Sequence, residues 1–134
     1  MDRTTDLAKY RLEKSRDDYD TAKLNFEHHK FAQSINRSYY AMFHAARALL
    51  ALDKFDSSKH SGIISYFNRY YIKTGKIDKI YSSMLMNAFN VRQNCDYDDF
   101  YIISKNDCEI QLNNADKFIQ MIDSELGKRT RNEI

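Results

Sequence analysis

Apolar side chains recur along this chain at alternating intervals of three and four residues, and the pattern divides it into five segments. The first predicted helix runs from about Thr5 to His29, and the second from about Phe31 to Leu52. Such intervals put the apolar residues on one side of a helix, where they pack against a neighbouring element. The core side of the second helix consists of Phe31, Ile35, Tyr39, Met42, Ala46 and Leu49.

A polar stretch, DKFDSSKHSG, separates the second helix from the third. Ser57 or Ser58 is the predicted N-cap of the third helix, because a serine hydroxyl can accept a hydrogen bond from the first turn. Gly75 is placed to end that helix in the left-handed conformation. A fourth helix begins near Ile77, where the helical spacing of apolar residues resumes.

The fifth helix opens at Ser104, with Asp107 three residues later as a weak capping box. The segment before it, Phe100 to Ile103, could be a short extended piece, although no other segment offers it a partner strand. Gly127 is predicted to end the last helix, so that residues 1–126 form a single domain and residues 127–134 a frayed basic tail.

Composition supports an all-α fold. The 134 residues include no proline and three glycines, which leaves few places for the sharp turns of a sheet protein. We therefore predict an up-and-down antiparallel bundle of four to five helices. A net charge of +2 is too small to indicate a nucleic-acid protein by itself. The charged N-terminus, the lack of a long apolar run and two cysteines without CxxC spacing predict a cytoplasmic protein with free thiols and no membrane span.

The second helix also carries polar residues that could form a site. They lie roughly opposite its core side, and they are Gln33, Arg37, Tyr40, His44 and Arg47. A guanidinium group binds phosphate through two hydrogen bonds, and an imidazole moves protons near neutral pH. The alternative is an ordinary solvated helix face. The chain has no glycine-rich phosphate loop and no zinc spacing, so we predict neither a cofactor nor a metal.

A second candidate is the segment VRQNCDYDDF, at the end of the fourth helix. Arg92 and Asp96 are four residues apart and can form an ion pair on one helix face. Alternatively, Arg92 and the carboxylates of this segment line a cleft. His60, in SSKHSG, lies at a helix start where backbone N–H groups could hold a phosphate, but capping and packing explain it as well.

Together, INRSYYAMFHAARALL, KHSGIISYF, KTGKI and VRQNCDYDDF resemble the HEPN superfamily (higher eukaryotes and prokaryotes nucleotide-binding). The resemblance is to its small prokaryotic branch, whose genes often lie beside a minimal nucleotidyltransferase, and it covers about residues 5 to 126. It implies a helical bundle that usually dimerises. Many members are metal-independent ribonucleases, and many are the toxin of a toxin–antitoxin pair.

The ribonuclease signature of that superfamily is an Arg followed, after four to six residues, by a His. Arg92 matches the Arg, but positions 97, 98 and 99 hold Tyr97, Asp98 and Asp99. A tyrosine is a poor base at neutral pH and a carboxylate repels RNA, so the motif is degenerate. The resemblance also marks Tyr97 as a candidate for nucleotidylation by the partner enzyme.

Three functions are therefore open. In the first, the protein is the nucleotide-, RNA- or partner-binding component of a HEPN–nucleotidyltransferase module of toxin–antitoxin type, with Arg37, Tyr40, His44, Arg47 and Arg92 as contacts. In the second, it is a metal-independent ribonuclease that uses Arg92 with His44 or Asp96, His44 meeting Arg92 across the bundle or across a dimer interface. In the third, it is a non-catalytic helical scaffold for oligomerisation.

Overall fold

Helices make up almost all of the chain. The computed structural model describes residues 3 to 132, and within that range no strand is present. The helices are α1 Arg3–Glu27, α2 Phe31–Ala51, α3 His60–Phe67, α4 Lys79–Tyr97 and α5 Lys105–Asn132, and α3 continues without a break as a π-helical segment, Asn68–Ile72. The predicted all-α bundle is confirmed. None of the helices in the described range is both long and apolar enough to cross a bilayer.

The second helix is the centre of the bundle, because it packs against α1, α3, α4 and α5. Its predicted core side is confirmed: Tyr39, Met42 and Leu49 are completely buried. Alanines occupy much of the rest of its surface, and Ala41, Ala45 and Ala48 are also completely buried. Small side chains let neighbouring helices approach closely on several sides at once, so α2 can be enclosed by the others.

The start of α3 differs from the prediction. Its N-cap position is Lys59, and no side chain caps it. Ser57 lies two residues before that position, and its Oγ instead accepts a hydrogen bond from Lys59 N at 3.2 Å. The position of Ser57 also explains the glycine at position 62, because a Cβ there would lie 2.3 Å from Ser57 Oγ. The prediction for Gly75 is confirmed by its φ of 78°.

The end of the last helix also differs. The prediction that Gly127 ends α5 is wrong, because the helix continues to Asn132. Arg129 Nη2 lies 2.9 Å from Asp53 Oδ1, and Thr130 Oγ1 donates a hydrogen bond to Leu126 O at 2.9 Å. The ion pair holds the last turns of α5 against the residue pair that follows α2, so residues 128 to 131 are not a frayed tail. Residues 133 and 134 lie outside the described part.

The start of α5 agrees with the prediction. Asp107 N donates to Ser104 Oγ at 3.0 Å, and the helix begins at Lys105. The segment before it is irregular, and the side chains of Phe100 and Ile102 are 93% and 90% exposed. Both cysteines are free thiols: Cys108 is buried and Cys95 is half-buried.

Candidate functional site

The polar face of α2 is not open to solvent along its length, because α1 lies across it. Side-chain exposure is 35% for Arg37, 24% for Arg47 and 13% for His44. Asp18 of α1 contacts the first part of this face, and Arg11 of α1 contacts the last part. The five predicted residues therefore separate into groups with different surroundings.

Arg37 and Tyr40 form one group, together with Arg92 of α4. The guanidinium carbon of Arg37 lies 4.9 Å from the centre of the Tyr40 ring, and that of Arg92 lies 5.3 Å from it. Arg37 Nη1 also donates to Asp18 Oδ1 at 3.0 Å, and its Nε donates to Asn36 Oδ1 at 3.0 Å. The helices thus bring two cations to one aromatic ring, an arrangement that stabilises both guanidinium groups.

A groove of about 490 Å³ lies beside these residues. Its lining consists of Thr21, Asn25, Ala32, Gln33, Asn36, Arg37 and Asp96. Asn36 Nδ2 lies 3.4 Å from Asp96 Oδ2, so the amide and the carboxylate close one side of the groove. Amide and guanidinium donors next to an open volume are suited to a ligand with phosphate and hydroxyl oxygens.

The predicted ion pair between Arg92 and Asp96 is confirmed. Arg92 Nε donates to Asp96 Oδ2 at 2.9 Å, and the two side chains are 14% and 31% exposed. Since Asp96 also lines the groove, the ion pair and the cleft are parts of one structure. Tyr97 follows at the end of α4 with 73% of its surface exposed, so its hydroxyl is accessible to another protein.

His44 is enclosed between α1 and α2. Its ring stacks on Tyr40 at 5.8 Å, and its Nε2 lies 3.8 Å from Asp18 Oδ2. Burial lowers the pKa of His44 to about 4, and the charges of Lys14, Arg47 and Arg37 act in the same direction. Burial also raises the pKa of Asp18, against the charge of Arg37. The imidazole is therefore neutral at pH 7. His44 and Arg92 are connected by the Tyr40 ring, which both side chains contact.

Arg47 belongs to a separate ion-pair cluster that fixes the loop after α2. Its Nη2 donates to both carboxylate oxygens of Asp56, at 3.1 and 3.0 Å, and Arg11 Nη2 donates to the same carboxylate at 3.0 Å. Burial opposes ionisation of Asp56, but the hydrogen bond and the charge of Arg47 hold its pKa below the ordinary value. Arg47 therefore stabilises the loop after α2 through its contacts with Asp56.

The role of His60 was not predicted from the sequence. Its Nδ1 is hydrogen-bonded to the Tyr39 hydroxyl at 2.8 Å, and its ring stacks on Phe43 at 4.2 Å. Arg92 lies 5.5 Å from the centre of the Tyr39 ring. Burial, and then the charges of Arg92 and Arg47, lower the pKa of His60. His60 thus shares the Tyr39 ring with Arg92, as His44 shares the Tyr40 ring. From the sequence, His60 was placed only at a helix start, where phosphate binding or ordinary capping and packing could explain it.

We call Arg37, Tyr39, Tyr40, His60 and Arg92 the Arg92 site. Its residues come from α2, the start of α3 and α4. In the described part of the chain, no cluster of three His, Cys, Asp or Glu side chains could hold a metal ion. The site combines two guanidinium groups on aromatic rings, a neighbouring imidazole and an adjacent polar groove.

The chain is similar to several known proteins. Over 123 residues the chain is 31% identical to a UPF0332 protein of Archaeoglobus fulgidus, covering 92% of this chain and 98% of the relative. It is 29% identical over 123 residues to a UPF0332 protein of Thermotoga maritima, covering 92% and 93%. A Methanocaldococcus jannaschii protein named "putative toxin" is 34% identical over 86 residues, which are 64% of each chain.

The sequence model of the HEPN domain matches residues 8–126. This match includes α2, α3 and α4 in full, most of α1 and α5, and every residue of the Arg92 site. Three of the four segments that suggested the family contribute directly to the site: Arg37, Tyr39 and Tyr40 come from the first, His60 from the second and Arg92 from the last. With a match over most of its length and a full-length relative at 31% identity, the chain belongs to the HEPN domain family.

Proposed function

We propose that this HEPN protein is the binding component of a toxin–antitoxin-like module, and that its Arg92 site holds a phosphate group of RNA or of a nucleotide. The observation that carries the proposal is the convergence of Arg37 and Arg92 on Tyr40, beside a groove of about 490 Å³. Membership of the HEPN family and the toxin names of two relatives support the same class of function.

Arg92 is the better candidate of the two arginines for ligand binding. Arg37 already uses Nε, Nη1 and Nη2 in hydrogen bonds to Asn36 and Asp18. Within residues 3 to 132, the hydrogen bond of Arg92 is made by Nε to Asp96, which leaves the two Nη groups for a ligand. The Nη groups can bind two phosphate oxygens in parallel, while Asp96 and the rings of Tyr39 and Tyr40 hold the side chain in place.

A binding assay tests this role. Fluorescence anisotropy with a labelled single-stranded RNA of twelve nucleotides, and calorimetry with ATP, would compare the wild type with Arg92→Gln and Arg92→Lys. We expect Arg92→Gln to weaken binding about tenfold or more, as for a lost hydrogen bond to a charged group. Arg92→Lys should lose less, since it keeps the charge.

The matched control is Arg16→Gln, because Arg16 also forms an ion pair, with Asp123 at 3.0 Å, but lies between α1 and α5. Equal affinity of the wild type and Arg92→Gln would contradict the proposal. If neither RNA nor ATP binds or raises the melting temperature of the wild type, the scaffold interpretation replaces it.

The partner in this proposal is a minimal nucleotidyltransferase. The exposed Tyr97 hydroxyl is suited to modification: it would attack the α-phosphate of a nucleoside triphosphate, lose its proton and release pyrophosphate. Phe100 and Ile102, which are almost fully exposed close by, supply apolar surface for the partner. Co-expression with a neighbouring nucleotidyltransferase gene and intact-mass measurement test this step. Tyr97→Phe should abolish the mass increase and Tyr101→Phe should not; an unmodified wild type that does not co-purify would contradict it.

We also propose that the protein forms a homodimer through α3 and α4. An open groove of about 290 Å³ between them has Ile64, Met86 and Phe89 in its lining, and Met86 and Ile80 are 38% and 51% exposed. Light scattering should give twice the chain mass for the wild type and the single mass for Met86→Glu. A wild-type monomer at all concentrations would argue against the dimer.

A metal-independent ribonuclease is the second candidate, and the contact between His60 and Tyr39 near Arg92 is the observation that favours it. In this mechanism His60 takes the proton of the RNA 2′-hydroxyl and Arg92 balances the charge on the phosphate. His44 is poorly suited to that role because it is enclosed, with a pKa of about 4.

RNA cleavage in EDTA tests this candidate. His60→Ala should abolish cleavage, whereas His44→Gln should keep it. Loss of cleavage in His44→Gln alone would restore His44 as the base. If the wild type cleaves no RNA, the enzyme hypothesis fails and the binding role stands by itself.

A further inference from the structure

Three aromatic rings form a continuous stack on a surface formed by the loop after α2, the outer side of α3 and the π-helical segment. Phe55 and Tyr66 stack with centres 4.1 Å apart and planes 15° from parallel. Tyr66 and Tyr70 follow at 4.4 Å and 41°. Tyr70 is 43% exposed, and Phe55 and Tyr66 are half-buried. We call these three residues the aromatic platform.

The platform is held in place from beneath by Asp53. The Tyr71 hydroxyl donates to Asp53 Oδ2 at 2.5 Å, and Arg129 contacts both residues. The carboxylate of Asp53 also acts on Tyr66: together with burial, its charge and hydrogen bonding raise the pKa of that hydroxyl. The contact with Asp53 fixes the central ring, Tyr66, before any ligand arrives, which lowers the entropic cost of binding.

The π-helical segment contains two adjacent tyrosines with different surroundings. Tyr71 is 3% exposed and bonds to Asp53, whereas Tyr70 faces solvent. The wider turn of a π-helix lets Tyr66 and Tyr71, five residues apart, act on the same carboxylate while Tyr66 and Tyr70 stay stacked. Such segments are rare and occur frequently at functional sites.

The charges around the platform favour an anion. The Arg69 guanidinium lies 5.3 Å from the centre of the Tyr70 ring. The nearby carboxylates are neutralised: Asp53 by Arg129, and Asp56 by Arg47 and Arg11. Beside the rings runs an open groove of about 450 Å³, whose lining consists of Phe55, Gly62, Ser65, Tyr66, Arg69 and Tyr70.

We propose that the aromatic platform binds an unpaired base of single-stranded RNA, stacked on the Tyr70 end of the platform, with Arg69 on the adjoining phosphate. This inference rests on the RNA arm of the proposed function, and it adds a second contact surface outside the Arg92 site. Aromatic rings beside a guanidinium group are the arrangement by which single-stranded nucleic acids are held without base pairing. An apolar peptide would find few aliphatic side chains here, because the groove is lined by rings, small polar residues and an arginine.

The test separates base stacking from attraction of the charged backbone. Two labelled probes of the same length are used: a ten-nucleotide RNA, and a ribose-phosphate oligomer without bases. The wild type should bind the RNA at least about fivefold more tightly than the abasic oligomer. Tyr70→Ala should remove that preference, and Tyr70→Phe, which keeps the ring, should retain it.

Tyr10→Ala is the matched control, because Tyr10 is 63% exposed on α1 and lies outside the platform. Arg69→Gln should weaken the binding of both probes, which gives a second readout if Tyr70→Ala is poorly folded by its melting curve. An RNA preference that survives Tyr70→Ala overturns the inference. A change in the oligomeric state on Tyr70→Ala, measured by light scattering and with RNA affinity unchanged, also overturns it. The platform would then contact a second copy of the chain.

The two proposals fail in different ways. If RNA affinity falls with Arg92→Gln but not with Tyr70→Ala, the Arg92 site stands and the platform does not. If the wild type binds neither probe, the RNA arm of the proposed function fails, and this inference fails with it.

Discussion

The free energy of unfolding should fall less between pH 7 and pH 5 when His44 is replaced by Gln. His44 is enclosed by α1 and α2, with 13% of its side chain exposed and with Lys14, Arg37 and Arg47 close enough to oppose a positive charge. In the unfolded chain the same imidazole is in water and takes up its proton at the ordinary pKa of about 6.5.

The magnitude follows from the two pKa values. In the folded state the pKa of His44 is about 4, so between about pH 6.5 and pH 4 the unfolded chain binds the proton and the folded protein does not. Stability therefore falls as the pH is lowered through this window. From pH 7 to pH 5 the loss from this one residue is about 2 kcal/mol. The lowered pKa of His60 adds a loss of the same sign. The raised pKa of Asp18 has the opposite effect on stability. His60 and Asp18 are unchanged in the variant.

Urea unfolding followed by circular dichroism at half-unit steps from pH 7.5 to pH 5 measures this difference. The free energy of unfolding of His44→Gln should fall by about 2 kcal/mol less than that of the wild type over pH 7 to 5. His28→Gln is the control, because His28 is exposed just after α1. Parallel pH profiles for the wild type and His44→Gln would refute the argument that His44 is kept neutral by its surroundings, whatever the absolute stability of the variant.

Three further substitutions test the packing. Gly127→Ala should raise the free energy of unfolding by about 0.5–1 kcal/mol, because Gly127 lies inside α5 and a Cβ there meets only Arg131 Nη1, at 3.7 Å; a loss of stability in urea unfolding would contradict the continuous helix. Tyr71→Phe should lower it by about 1–3 kcal/mol, because Asp53 loses the Tyr71 hydroxyl, and an unchanged midpoint would mean that water replaces that bond without cost. Leu49→Ala should lower it by about 2–5 kcal/mol, since Leu49 is completely buried in the core; thermal melting checks this, and a shift of less than 1 kcal/mol would mean that the neighbours of α2 collapse into the space.

The helices could be predicted because each repeats its apolar positions over several turns. The core side of α2 is the clearest case, and Tyr39, Met42 and Leu49 lie where the pattern put them. Helix ends were harder, since they depend on contacts that are distant in sequence. Gly127 would end an isolated helix, but the ion pair between Arg129 and Asp53 stabilises the turns that follow it. The π-helical segment was not predicted either, because one widened turn leaves the apolar spacing almost unchanged.

The site was predicted as a set of residues on one face of α2, and the structure divides that set. A helical pattern shows which residues share a face but not which element covers them. Asp18 and Arg11 of α1 decide the surroundings of Arg37, His44 and Arg47, and no local pattern links α1 to these positions. Arg92 and Asp96 were paired correctly because they are one helical turn apart.

Tyr and Asp stand where the signature histidine is expected, and the charges of the Arg92 site indicate whether it is suited to binding or to catalysis. Asp96 neutralises part of the charge of Arg92, and Asp18 does the same for Arg37, so the Arg92 site carries little net charge despite its two guanidinium groups. A site that stabilises the transition state of phosphate cleavage needs an excess of positive charge at the phosphate. A site that only holds a phosphate can share its arginine with a carboxylate and draw the rest of its affinity from Tyr40, the groove amides and surfaces elsewhere. The balance of charges in this HEPN protein is therefore better suited to the binding role that we propose than to catalysis.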